Sequence, residues 1–115
     1  MKFKIIMSLV KPHITDKIVD AAKKKGATGA TIIPARGTGI HEAKSFFGLS
    51  IEDQTDIVVF LVEEHVVEGL LETIRKAGKF DEPSTGIAFV LPVEHVVGLE
   101  SQMKIFKEQA RDQYF

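Results

Sequence analysis

A glycine-bearing segment after a predicted strand carries the residues best suited to bind an anion. It spans residues 36–44 and reads Arg-Gly-Thr-Gly-Ile-His-Glu-Ala-Lys. Glycine lets the backbone approach a phosphate or carboxylate closely, and successive N–H groups of such a turn can form an anion-binding nest. An ordinary glycine turn is the alternative interpretation. The candidate ligand-binding residues are Arg36, Gly37, Thr38, Gly39 and His41, with Lys44 as a further cation.

A second loop of the same character spans residues 78–86 and reads Gly-Lys-Phe-Asp-Glu-Pro-Ser-Thr-Gly. It separates a predicted helix from a predicted strand, and Lys79 is its candidate ligand-binding residue. In a split βαβ fold both loops project toward a shared region. We therefore predict a small-ligand site where the two loops converge at a seam between subunits.

Motifs for catalysis and for metal binding are missing from the sequence. It contains no cysteine, which excludes disulfides, thiolate zinc sites and cysteine nucleophiles. None of the serines lies in a G-x-S-x-G context, and there is no Walker loop. The four histidines form no i,i+4 pair with acidic support, and they stand at His13, His41, His65 and His95. The sequence therefore predicts neither an enzyme nor a metal site.

Length, charge and hydropathy define the broad class. The 115 residues suit one domain, and a net charge of −1 gives no electrostatic reason to expect nucleic acid as a partner. The longest apolar run, Ile57–Val62, is far shorter than the ~18 to 20 residues that cross a bilayer. The N-terminus lacks the apolar core of a signal peptide. We expect a soluble cytoplasmic protein that does not insert into a membrane.

Hydrophobic periodicity predicts the order strand, helix, strand, strand, helix, strand. Thr15-Asp16 are expected to supply the N-cap and an acidic first turn of the first helix, and Gly26 to end it. Pro34 is expected to mark an edge position or the end of a strand. This order predicts an α+β, ferredoxin-like split βαβ fold (βαββαβ) with both helices on one face of an antiparallel sheet. The predicted strands are Phe3–Val10, Thr28–Ala35, Ile57–Val62 and Ile87–Leu91, and the apolar stripes of the helices run over residues 14–22 and 66–74.

The third and fourth predicted strands are apolar on both faces, since neither alternates between apolar and polar residues. The helices can cover only one face, so we predict that copies of the chain cover the other. The domain is expected over residues 1–100, with a docking loop at 37–53. Residues 101–115 form a predicted amphipathic helical tail that packs on its own or a neighbouring subunit, or binds a partner. The apolar stripe of the tail is Met103, Phe106, Ala110 and Tyr114.

The chain up to about residue 100 resembles the PII signal-transduction family. The resemblance rests on Lys-Pro after the first strand, on basic-Gly-x-Gly at residues 36–39, and on Thr-Gly-Ile-Ala-Phe-Val at residues 85–90. Further matching positions are Asp16, Gly26, Thr28, Gly29 and Thr31. The spacing matches without a gap from Lys11 to His41 and from Thr55 to Glu100.

The resemblance implies a homotrimeric regulator without catalytic activity. It implies adenine nucleotide binding in the clefts between subunits, with Thr31 at the base side of the nucleotide. Gly39 and His41 match positions near the phosphates, and Thr85 and Gly86 match the phosphate-binding loop. It further implies that the long loop docks onto a target protein, either a membrane transporter or a metabolic enzyme.

Departures from the family pattern modify these expectations. Two arginines that usually hold the outer phosphates are replaced by Gly98 and Glu100, so AMP or ADP is expected rather than ATP, with a cyclic nucleotide or a small anion as alternatives. The docking loop is short and has no tyrosine, and its expected partner-binding residues are Lys44, Phe46, Phe47 and Leu49. The alternative is a metal- or anion-binding trimer similar to the CutA type, with His41 or His95 at the seam.

Overall fold

The computed structural model describes residues 2–36, 45–46, 49–50, 54–83 and 85–99. The first half of the chain forms β1 (Phe3–Val10), α1 (Pro12–Lys24) and β2 (Thr31–Arg36). The second half forms β5 (Gln54–Glu63), a 3₁₀ turn (Glu64–Val66), α2 (Val67–Gly78) and β6 (Gly86–Pro92). Between them lies a small hairpin of β3 (Ser45–Phe46) and β4 (Leu49–Ser50), which the sequence did not predict.

The main sheet has four strands in the order β2-β5-β1-β6, and every neighbouring pair is antiparallel. This arrangement confirms the predicted α+β, ferredoxin-like fold. Pro34 lies on β2, an edge strand, as predicted. An edge position suits proline because its missing N–H is not needed for pairing on the free side.

Helices α1 and α2 cover one face of the sheet. Even-numbered residues of β1 and β5 point into this layer, where Ile6 and Phe60 are fully buried and lie opposite each other. Ile18 of α1 and Ile74 of α2, also fully buried, close the core from the helix side. The rest of the buried core is Val10, Val19, Ala22, Ala27, Val58, Val62 and Leu70.

The first helix begins earlier than the sequence predicted. Its first residue is Pro12, which suits the first turn because the amide that proline lacks would have no partner there. Thr15 is therefore not a cap: it is 3% exposed and lies inside the helix, and the first turn holds no acidic residue. The helix ends before Gly26, whose φ of +110° confirms the predicted stop.

The second face of the sheet carries apolar side chains that the helices do not reach. Odd-numbered residues of the three strands β5, β1 and β6 pair directly across it, and Met7 lies between Val59 and Phe89 at the centre. Leu61, Phe89 and Leu91 on this face are 37%, 38% and 40% exposed. We call this the open face, and its members are Ile5, Met7, Leu9, Ile57, Val59, Leu61, Ile87, Phe89 and Leu91.

Within the described part of the chain, no helix combines the length and hydropathy that spanning a membrane requires.

Candidate functional site

Both candidate loops leave the sheet at the same end. Arg36 is the last residue of β2 and lies opposite Gln54, the first residue of β5. Gly86 is the first residue of β6 and lies opposite Val10, the last residue of β1. We call this end, marked by these four residues, the loop end of the sheet.

The two loops nevertheless lie at opposite edges. Strands β2 and β6 are the outer strands of the order β2-β5-β1-β6. Three steps of about 4.8 Å separate the two strands, and Arg36 lies two residues beyond Pro34, which is level with Gly86. Arg36 and Gly86 therefore stand roughly 16 Å apart across one sheet. The chain therefore brings the loops to a common end without bringing them together.

Thr31, the residue predicted to contact the base of a nucleotide, begins β2 and is exposed. It lies opposite Val59, which places it on the open face. Five residues of strand separate it from Arg36, a distance of about 17 Å. Arg36 lies opposite Gln54, on the helix face, so a ligand that contacts both residues must reach around the β2 edge as well as along it.

The second loop is folded by its own backbone at the end of α2. The N–H of Phe80 donates to the carbonyl of Arg75 at 3.0 Å, and the N–H of Lys79 donates to that of Lys76 at 3.2 Å. This pair of bonds is a Schellman motif, and it places Lys79 in the left-handed region with a φ of 55°. Lys79 is exposed, so its ammonium group is accessible at the start of the loop.

The hydroxyl of Thr85 closes the far end of this loop. Its Oγ1 lies 2.9 Å from the carbonyl oxygen of Lys79 and 2.9 Å from that of Glu82. A hydroxyl has one hydrogen, and these two carbonyls share it. Toward a ligand, Thr85 therefore presents lone pairs that accept a hydrogen bond, and its hydrogen is engaged within the loop.

The ring of Phe80 fills the space between the two glycines that flank the loop. A Cβ built on Gly78 would lie 2.3 Å from Cε1 of Phe80, and one built on Gly86 would lie 2.8 Å from the same atom. The Gly86 Cβ would also lie 2.8 Å from the carbonyl oxygen of Leu9. Gly86 therefore permits close packing of the ring against β1.

A charge network joins this loop to α2. The guanidinium of Arg75 hydrogen-bonds Glu72 on the helix and Asp81 in the loop, with Nε 3.0 Å from Oε2 of Glu72. The hydrogen bond from Arg75 lowers the pKa of Glu72, and both carboxylates raise the pKa of Arg75. Arg75 is not among the residues predicted from the sequence. The Glu-x-x-Arg spacing in a predicted helix could have indicated its ion pair with Glu72.

Several predicted site residues lie outside the described part of the chain: Gly37, Thr38, Gly39, His41, Lys44 and Phe47. Phe46 and Leu49 are described as opposite backbone partners in the β3–β4 hairpin. Among the described predicted residues, Lys79, Thr85 and Gly86 lie together in the second loop, whereas Thr31 and Arg36 lie along the β2 edge.

The described histidines lie apart from this site or are solvent-exposed. His65 pairs with Glu63 through Nδ1 and Oε2 at 3.2 Å, and its side chain is 72% exposed. His13 and His95 are also exposed. Over the residues that the structure describes, no group of three or more histidine, cysteine or acidic side chains is arranged to hold a metal ion.

Comparisons with known proteins agree on one family. The sequence profile described as "Nitrogen regulatory protein P-II" matches residues 3–102. Proteins of that name from Mesorhizobium japonicum and Azospirillum brasilense are each 27% identical to this chain, with 85% and 88% of the chain covered, and 92% and 95% of those proteins.

Solved structures of PII proteins share the fold as well as the sequence. Arabidopsis thaliana PII bound to citrate superposes with a TM-score of 0.64 at 27% identity, covering 80% of this chain and 78% of that one. A putative PII-like signaling protein from Thermus thermophilus gives a TM-score of 0.64 at 27% identity, with 87% and 95% covered. The chain therefore belongs to the nitrogen regulatory protein P-II family, whose members are effector-binding, oligomeric signalling regulators and not enzymes.

Proposed function

We propose that this signalling protein is a homotrimer that binds an adenine nucleotide, AMP or ADP in preference to ATP, in the clefts between its subunits. Binding would change how residues 37–53 dock onto a target protein, a membrane transporter or a metabolic enzyme. The main observation in support of this proposal is that the two candidate loops lie at one end of the sheet but at its opposite edges. A modest coupling of about 1 to 3 kcal/mol between the two events is sufficient for regulation.

The open face supplies the reason for assembly. It presents three apolar residues from each of three adjacent strands, and several are more than one third exposed. A contiguous apolar surface of this kind is typical of an interface between subunits. Packing these faces around a threefold axis would remove them from water.

A ring of copies would also complete the site. In a cyclic assembly each subunit presents one edge to one neighbour and its other edge to the next. The β2 edge, with Thr31 and Arg36, would then lie beside the neighbour's β6 edge, with Lys79 and Thr85. Arg36 and Gly86, which stand about 16 Å apart in one chain, would then line the same cleft.

The groups available in this cleft favour a ligand of limited negative charge. Arg36 and Lys79 are the exposed cations at the described bases of the two loops. Thr85 offers lone pairs, which suit an amino or hydroxyl group of the ligand better than a phosphate oxygen. The Arabidopsis relative was solved with citrate, a small polyanion, which supports an anionic ligand for this chain.

Subunit mixing with calorimetry tests the shared site. Arg36→Gln and Lys79→Gln should each weaken ADP binding in the homotrimer. Trimers reassembled from a mixture of the two variants should recover part of the binding, because some clefts then combine an intact Arg36 with an intact Lys79. Recovery is impossible if both residues act within one chain. Wild-type protein that gives no heat with AMP, ADP or ATP contradicts the proposal.

Assembly is tested separately by a charge on the open face. Met7→Lys should convert the trimer to monomers in light scattering, because a lysine at the centre of the face would lose its hydration on burial. Asp20→Lys, at an exposed position on α1, is the control and should remain trimeric. Wild-type protein that is monomeric at micromolar concentration would overturn the trimer. Binding of zinc or copper alone, lost in His41→Ala or His95→Ala, would favour the CutA-like alternative.

A further inference from the structure

Arg75 joins a helix to a loop through one planar side chain. Nε and Nη2 contact the two carboxylate oxygens of Glu72, one turn earlier on α2. The remaining amino group, Nη1, donates to Oδ2 of Asp81 in the second loop. The side chain of Arg75 therefore holds Asp81 at a defined place above the end of α2.

The fork geometry of the guanidinium makes this arrangement possible. Two parallel N–H groups engage Glu72 in a bidentate contact, and this fixes the plane in which the third nitrogen lies. A lysine offers a point charge on a flexible stem and lacks such a plane. Lys76 illustrates the difference, because its Nζ approaches a single carboxylate oxygen of Glu72, at 3.7 Å.

Arg75 also offsets part of the negative charge beside the second loop, because its one cation lies between two carboxylates. Glu72 and Asp81 would otherwise present two negative charges beside a loop whose described cation is Lys79. Because like charges repel an incoming anion, pairing both acids with Arg75 favours an anionic ligand at Lys79. The pair is exposed, with Asp81 at 78%, so the effect is modest and screened by salt.

We propose that Arg75 is a positioning residue for the effector site: it orders residues 79–83 and pairs with Asp81 without contacting the ligand. This inference rests on the proposed function, since it assumes that the second loop forms part of the effector site. The backbone carbonyl of Arg75 also accepts the bond from Phe80, but a side-chain substitution leaves that bond in place.

The test uses the full-length trimer and three variants. Arg75→Gln removes the charge and the fork, Arg75→Lys removes only the fork, and Lys76→Gln is the control at the neighbouring exposed position. We expect amide hydrogen exchange at residues 80–82 to rise about two- to fivefold in both Arg75 variants and to stay unchanged in the control. ADP affinity should fall about fivefold in Arg75→Gln, and by less in Arg75→Lys.

Two results would overturn the inference. One is amide exchange at residues 80–82 that is the same in Arg75→Gln and in Lys76→Gln. The other applies if the wild-type protein binds ADP: it is faster amide exchange in Arg75→Gln together with an ADP affinity equal to that of the wild type. A wild-type protein that binds no nucleotide contradicts the proposed function, and the ordering of the loop by Arg75 is then decided by the exchange data alone. Denaturant unfolding of each variant separates local effects from global destabilisation.

Discussion

Thr15 on α1 donates a hydrogen bond of 2.6 Å from its Oγ1 to Oδ2 of Asp56 on β5, 41 residues later in the chain. Asp56 lies opposite both Val10 and Pro34, close to where residues 37–53 rejoin the sheet. The bond therefore fixes the first helix to the strand that follows residues 37–53. Its partly buried position makes it stronger than a bond at the surface.

Replacing Thr15 with valine should destabilise the fold by about 1 to 2 kcal/mol. Valine preserves the shape of the side chain but leaves the half-buried carboxylate of Asp56 without its donor. Guanidinium unfolding at neutral pH measures the change. The same substitution should cost less in an Asp56→Asn background, because a neutral amide loses less when its donor is removed. Equal costs in the two backgrounds would show that the bond contributes little.

Removing a different buried hydroxyl should have the opposite sign. Ser8 is fully buried on the helix face, and its Oγ has no hydrogen-bond partner in the described part of the structure. Ser8→Ala should therefore stabilise the chain by about 1 kcal/mol, since an unpaired buried hydroxyl is costly. Thr15→Val is the matched comparison, and unfolding midpoints that move in the same direction for both variants would contradict this reasoning.

Two glycines should respond differently to alanine. A Cβ at Gly86 meets the carbonyl oxygen of Leu9 at 2.8 Å, and backbone atoms of a paired strand cannot easily move, so Gly86→Ala should destabilise by about 1 to 3 kcal/mol. Gly69 lies inside α2 with nothing within 4 Å of a built Cβ. Gly69→Ala should stabilise by about 0.5 to 1 kcal/mol through helix propensity. Thermal unfolding of both variants checks the contrast.

Acid should weaken the wild-type protein more than the Arg75→Gln variant. Arg75 lowers the pKa of Glu72 below its ordinary value of 4.5 in the folded chain. Between the lowered pKa and pH 4.5 the unfolded chain binds more protons at Glu72 than the folded chain does. The stability that the Arg75–Glu72 pair contributes is therefore present above pH 4.5 and is lost as the pH falls through the lowered pKa. Denaturant unfolding between about pH 6 and pH 3 measures the slope. Identical slopes in the two proteins would refute the linkage.

Local sequence patterns were sufficient to predict several features that the structure confirms. The end of α1 could be predicted because the positive φ that Gly26 adopts is a local preference of glycine. The edge position of β2 could be predicted because Pro34 lacks the N–H that a central strand would need. The apolar composition of the third and fourth predicted strands predicted a second apolar face, and that face is present. The N-cap prediction at Thr15 was wrong because Pro12 starts the helix one turn earlier, which moves the hydroxyl into contact with Asp56.

Strand order and long-range pairing were decided only by the tertiary structure. Sequence periodicity reports which side of an element is apolar, but it carries no information about which edge of the sheet an element occupies. The strand order β2-β5-β1-β6 separates Arg36 from Gly86. The turn of the chain at the end of α2 brings Asp81 within hydrogen-bond distance of Arg75. Residue types and their spacing thus determined the candidate loops, whereas the packing of distant segments determined that one chain holds them apart.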